Sequence, residues 1–132
     1  MTIPNGSELF VVDSPGWVEY FSDGPKAKNV AVYFEEHEEA LLLPSIIVFE
    51  VYKKFLREGA NAAAELFLSK AFAFRDRVIP LDLEIAALAA RASLDTKLPM
   101  ADAIIYASAR TRRAHLITSD AHFSGLPGVT LV

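Results

Sequence analysis

Four carboxylates stand where this cysteine-free chain of 132 residues could do chemistry: Asp13, Glu50, Asp102 and Asp120. Asp13 closes an apolar run over residues 9–12, and Asp120 lies two residues past a second run at 115–118. In open α/β sheets, ligands gather beyond the carboxyl ends of strands, so acids that follow strands are the first candidates. Each also has an ordinary role open to it. Asp13 beside Ser14 and Pro15 can start a helix, and Asp120 in a turn can bond its own backbone. Glu50 interrupts the apolar stretch Ile46-Ile47-Val48-Phe49 and Val51-Tyr52, where a charge has little reason to be. A helical pair with Lys54 would give only about 0.2 to 0.5 kcal/mol, too little to account for a charge facing a core. Asp102 falls in the first turn of a predicted helix, where the positive helix end favours an acid. Without cysteine, any metal site must use oxygen or imidazole, and His37, His115 and His122 show no metal-ligand spacing with one another.

The elements that would position these acids can be read from periodicity and punctuation. Residues 9–12 predict a strand, with Ser14 as cap and Pro15 at the first position of a short helix reaching Phe21. Asp23-Gly24-Pro25 breaks the chain before a second helix over residues 26–38, and Leu41-Leu42-Leu43 predicts a buried strand. Pro44 and Ser45 open a long helix to Glu58, ended by Gly59, and an alanine-rich helix follows over 61–74. Residues 77–81 read as a third strand, and Asp82 caps a helix through Ser93. After Leu98-Pro99 comes a last helix over 100–113, with apolar positions Ile104, Ile105, Ala107 and Ser108. Strands at 115–118 and 129–132 complete the series. Strands separated by helices long enough to cross over imply an α/β fold: a mainly parallel central sheet of four to five strands flanked by helices.

Length fits one domain, able to bury roughly 65 to 70% of the surface of its unfolded chain. The expected division is an N-terminal extension at 1–8 and a single domain over 9–132. With 52% hydrophobic residues the chain is too apolar to be disordered, yet no run approaches the ~18 uninterrupted apolar residues of a membrane span. Residues 1–8 carry no Lys or Arg and contain Pro4, Asn5 and Gly6, unlike a signal peptide, so a cytoplasmic location is expected. The net charge of −4 argues superficially against nucleic acid, but setting aside four of the 17 acids leaves 13, equal to the 13 Lys and Arg. Acid gathers in Glu35, Glu36, Glu38 and Glu39, and base in Lys53, Lys54 and Arg57 and again in Arg110, Arg112 and Arg113. Solvated helix faces explain these clusters as well as a phosphate track does. Trp17, Tyr20 and Phe21 are expected to pack in the core or against a second copy.

Four blocks together carry a family resemblance: Val11-Val12-Asp13-Ser14, Pro44-Ser45 with Glu50, Leu98-Pro99-Met100-Ala101-Asp102-Ala103, and Thr118-Ser119-Asp120-Ala121-His122-Phe123. They resemble the motifs of PIN-domain ribonucleases. Gly16-Trp17-Val18-Glu19-Tyr20-Phe21 and Leu126-Pro127-Gly128-Val129 add a similarity to the VapC-type toxins of type II toxin-antitoxin pairs. The resemblance implies a magnesium-dependent endoribonuclease, with Mn2+ as a substitute ion, in which metal-activated water cleaves the phosphodiester. Asp13 and Asp102 would be the principal metal ligands, with Asp120 water-mediated or at a second ion and Glu50 a ligand or water-orienting group. Ser14, Thr118 and Ser119 would orient the acids. Like charges within about 4 Å cost on the order of 4 kcal/mol per pair at an effective dielectric of 20, so such a cluster would be strained without a cation.

The same resemblance implies an RNA substrate, with transfer RNA the favoured class, reached through Lys53, Lys54, Arg110, Arg112 and Arg113. It also implies a small antitoxin of VapB type covering the acidic pocket, a homodimer and no membrane. One departure stands out: Pro15 replaces the small hydroxyl residue that such toxins commonly carry after Asp-Ser, removing both a hydroxyl and a backbone N–H. Two alternatives follow. One is a degenerate, non-catalytic PIN-fold binding module; the other is a housekeeping RNA-processing nuclease.

Overall fold

The computed structural model describes residues 8–132, so all of the expected N-terminal extension except Glu8 lies outside the described residues. Five parallel strands form one sheet in the order β3-β2-β1-β4-β5: β1 (Leu9–Val12), β2 (Leu41–Pro44), β3 (Val78–Ile79), β4 (Ala114–Thr118) and β5 (Val129–Leu131). β1 lies in the middle, with Val11 set against Leu42 on one side and Leu116 on the other. Phe10, Val11 and Val12 are all buried, the continuous apolar pattern of a strand covered on both faces. From β1 the chain runs outward through β2 and β3, then returns to pair β4 along the opposite edge of β1. The strand order therefore reverses beside β1, and the carboxyl ends of β1 and β4 face the resulting crevice.

Among the described residues, six helices cover the sheet: α1 (Ser14–Phe21), α2 (Ala31–Glu35), α3 (Ser45–Arg57), α4 (Asn61–Ala73), α5 (Leu83–Thr96) and α6 (Met100–Thr111). Asp82 caps α5 as expected, accepting from the Ile85 N–H at 2.9 Å. None of the helices is long and apolar enough to cross a membrane, among the described residues. At α1 the cap is Asp13, one residue earlier than predicted, and Ser14 is already helical.

The single helix predicted over 26–38 breaks into a 3-10 turn at Ala27–Asn29, the short α2, and a second 3-10 turn at Glu38–Ala40. The start of α2 has no side-chain cap, and its buried Tyr33 and Phe34 are drawn onto the core. The strand predicted over 77–81 shrinks to two residues, because Arg75–Arg77 form a 3-10 turn. There Arg77 stacks on Phe74 and donates to the Glu38 carbonyl.

Trp17 fastens α1 to the sheet. It is fully buried, its indole N–H donates to the Val12 carbonyl at 2.9 Å, and its ring meets Phe34 edge-on at 4.7 Å and Phe67 at 5.6 Å. Gly16 permits the close approach, since a Cβ there would lie 2.4 Å from Val12 Cγ1. The first turn of α1 is thereby held directly over the end of β1, where Asp13 begins the site.

Candidate functional site

Asp13 is buried at the junction of β1 and α1, and both of its oxygens have internal donors. Oδ1 accepts from the Ser14 N–H at 2.7 Å, and Oδ2 accepts from the Thr118 hydroxyl at 2.7 Å. Burial pushes its carboxyl up from an ordinary 3.8 to about 6, against the lowering effect of the two donors and with the charges of Asp102 and Glu50 adding to the rise. The Ser14 hydroxyl donates to Glu50 Oε1 at 2.5 Å, linking α1 to α3. Lys54, weighed above as a helical partner of Glu50, pairs with Glu58 at 2.8 Å.

Asp102 occupies the first turn of α6. Its carboxyl is also raised, by burial first and then by Asp120 and Glu50, with His122 opposing. Asp120 Oδ1 accepts from the His122 N–H at 2.8 Å and lies 3.0 Å from His122 Nδ1. Two of the ordinary roles weighed for these acids are thus realised: Asp13 caps a helix and Asp120 closes a turn on its own backbone. All four acids nonetheless line one pocket of about 610 Å³ at the carboxyl end of the sheet. Ser14, Pro15, Val18 and Phe49 share its wall, and Lys53, Lys54 and Arg57 of α3 stand along its rim. A hollow so built can hold a cationic side chain against carboxylates while apolar atoms pack beside it.

The model of one protein family, the PIN domain, matches residues 10–129, nearly the whole chain. The chain belongs to the PIN-domain family. Among solved structures, this PIN domain is similar to a toxin-antitoxin complex from Klebsiella pneumoniae, at 25% identity and TM-score 0.69, covering 91% of this chain and 94% of that one. It shares its fold with FitAcB from Neisseria gonorrhoeae, at 21% identity and TM-score 0.68, with 86% and 89% of the two chains covered. The fold is also that of DNA-bound VapBC from Salmonella typhimurium, at 21% identity and TM-score 0.64, with 95% and 97% covered. Comparison with curated proteins gives no match.

The metal expectation does not survive the geometry of this PIN domain. Among the described residues, no group of three or more His, Cys, Asp or Glu is arranged to hold a metal ion. The reading of Asp13, Glu50, Asp102 and Asp120 as a set of magnesium or manganese ligands is corrected accordingly. The magnesium-dependent hydrolase inferred from that set falls with it, and so does the housekeeping nuclease of the same chemistry. Part of the oxygens' capacity is already taken: Asp13 accepts from Thr118 and Ser14, Glu50 from Ser14, and Asp120 from His122, so three of the four carboxylates that share the pocket are engaged with the protein's own donors.

The supporting hydroxyls divide. Ser14 and Thr118 touch the acids, whereas Ser119 is exposed and lines a separate hollow of about 120 Å³ beside Lys26 and Asn29. The basic residues divide as well. Lys53 and Lys54 flank the acidic pocket, but Arg112 and Arg113 sit in the turn before β4, at the opposite end of the sheet. Arg110 lies against Gly128. Sequence reasoning missed Arg57, Phe49 and Glu19 as pocket residues. A signal existed for Arg57, because Glu50, Lys53, Lys54 and Arg57 follow the spacing of one helical face.

Proposed function

We propose that this PIN domain is a non-catalytic binding module of the toxin-antitoxin type, which docks a small antitoxin-like protein in its acidic pocket. The observation that carries the reading is the pocket itself. Asp13, Glu50, Asp102 and Asp120 line it together with apolar Pro15, Val18 and Phe49, in a geometry suited to a partner's arginine or lysine beside an apolar side chain. The 25% identity to a toxin-antitoxin complex from Klebsiella pneumoniae supports an antitoxin-like partner. A cysteine-free chain accords with a cytoplasmic site of action.

A calorimetric titration with a synthetic peptide carrying one arginine flanked by leucines tests this. Binding that weakens at least tenfold in Asp102→Asn or Glu50→Gln, and also in high salt, is the expected result. Absence of binding, or metal-dependent cleavage of RNA by the same preparation, would overturn it.

The rim of Lys53, Lys54 and Arg57 favours a second reading, in which RNA phosphates are gripped without being cut and transfer RNA is the candidate class. Filter binding of labelled RNA that is lost in Lys53→Ala/Arg57→Ala, with the RNA recovered intact, would favour this reading over the peptide.

A further inference from the structure

Resting on the docking reading above, we propose that the small hollow beside Lys26, Asn29 and Ser119 is an anion subsite of the same surface. A partner segment that seats a cationic side chain in the acidic pocket seats a neighbouring Asp or Glu carboxylate here. The hollow, of about 120 Å³, lies between α1, the 3-10 turn at Ala27–Asn29 and the end of β4. Pro15 and Glu19 line both cavities, so the two share a wall. In an extended segment, side chains two residues apart on one face stand about 7 Å from each other, which lets adjoining cavities be filled from one short stretch of chain.

Unused donors and limited room select the occupant. The Lys26 ammonium, the Asn29 amide and the Ser119 hydroxyl have no ion-pair or hydrogen-bond partner among the described residues. One ammonium with two neutral donors beside it suits a single negative charge. Glu19, the carboxylate in the shared wall, is committed to the turn before Lys26: it accepts from the Lys26 backbone N–H at 3.4 Å, and a Cβ at Gly24 would stand 1.8 Å from its Oε2. Glu19 thus holds the turn that presents Lys26 and leaves the ammonium free. Val30 and Ile117 offer apolar atoms to the methylene carbons of an incoming acid. With a water's share of the liquid near 30 Å³, the hollow has the room of about four waters, enough for a carboxylate but not for a phosphodiester with a sugar on either side. The four acids next door also repel a polyanion, whereas they suit a peptide of mixed charge.

Two titrations of the full-length chain read the outcome. In the first, sodium acetate replaces sodium chloride at constant ionic strength while backbone amide signals are followed by NMR. Saturable shifts at Asn29 and Ser119 are expected, and they should vanish in Lys26→Ala, whose side chain is exposed and unpartnered. In the second, the arginine-leucine peptide is compared in pairs that carry Glu or Gln one, two or three residues to either side of the arginine. At one placement the Glu peptide should bind about fivefold more tightly than its Gln twin, and in Lys26→Ala the twins should bind alike. Acetate shifts that never saturate or that survive Lys26→Ala, inorganic phosphate binding more tightly than acetate, or twins that bind alike at every placement would each overturn the proposal. The two readings fail separately. Peptides that bind with no preference for Glu remove the subsite and keep the docking pocket, whereas acetate binding without any peptide binding removes the docking pocket and keeps an anion site.

Discussion

The Thr118 hydroxyl donates to Asp13 Oδ2 at 2.7 Å, joining residues 105 apart in sequence at the ends of two neighbouring strands. Both groups are buried, so the bond is formed where water cannot replace it. Replacing Thr118 by Val leaves a carboxyl oxygen without its donor at nearly constant side-chain shape. The expected loss is about 1 to 3 kcal/mol of unfolding free energy by denaturant titration, with Thr118→Ser far milder. A neutral Thr118→Val would show that the contact holds nothing.

Burial of Asp13 makes stability depend on pH in a defined direction. A carboxyl whose folded pKa stands near 6 against an ordinary 3.8 binds its proton more tightly when folded, so stability is greatest below about pH 4 and falls until about pH 6. That rise corresponds to roughly 3 kcal/mol as an order of magnitude. Asp13→Asn should therefore be more stable than the parent at pH 7 by about 1 to 3 kcal/mol, with the gap closing below pH 4. A gap unchanged between pH 4 and 7, or a less stable Asn variant at pH 7, would contradict the assignment.

Gly16 offers a purely steric test. An added Cβ meets Val12 Cγ1 at 2.4 Å, and neither β1 nor α1 can yield without moving the Ser14 that reaches Glu50. Gly16→Ala should cost about 1 to 3 kcal/mol in thermal or denaturant unfolding. Equal stability of the two proteins would mean that α1 has room to lift.

Divalent cations should leave the protein unaffected. Because no group of acids is arranged to hold an ion among the described residues, millimolar Mg2+ or Mn2+ should not raise the melting temperature, and EDTA should not lower it. A melting temperature that climbs steadily with cation concentration is the signature of a ligand bound to the folded state, and it would reverse this conclusion.

What could be read from the sequence was local. The apolar runs and the breakers after them placed β1, β4 and the acids that follow, and Asp82 announced α5 because its capping chemistry lies within three residues. The helix predicted over 26–38 failed because core contacts of Tyr33 and Phe34 outweigh an uncapped local preference. Glu50 was recognisable as out of place, but its partner Ser14 lies 36 residues away, whereas the nearby Lys54 is taken by Glu58. The order and spacing of the four acids say that they share a pocket. They do not say which way each oxygen points, and that orientation decides between holding an ion and accepting bonds from the protein's own donors.

The position of β1 has a consequence for how this protein comes into being. Among the described residues, the first strand made is the one at the middle of the sheet, and its neighbour β4 begins only at Ala114. During translation the Asp13 carboxylate must therefore wait, lacking its hydroxyl donor, until Thr118 has left the ribosome. A nascent chain that stops before Asp102 carries the acids Asp13 and Glu50 but not the finished pocket, which is complete only once the chain extends through Asp120.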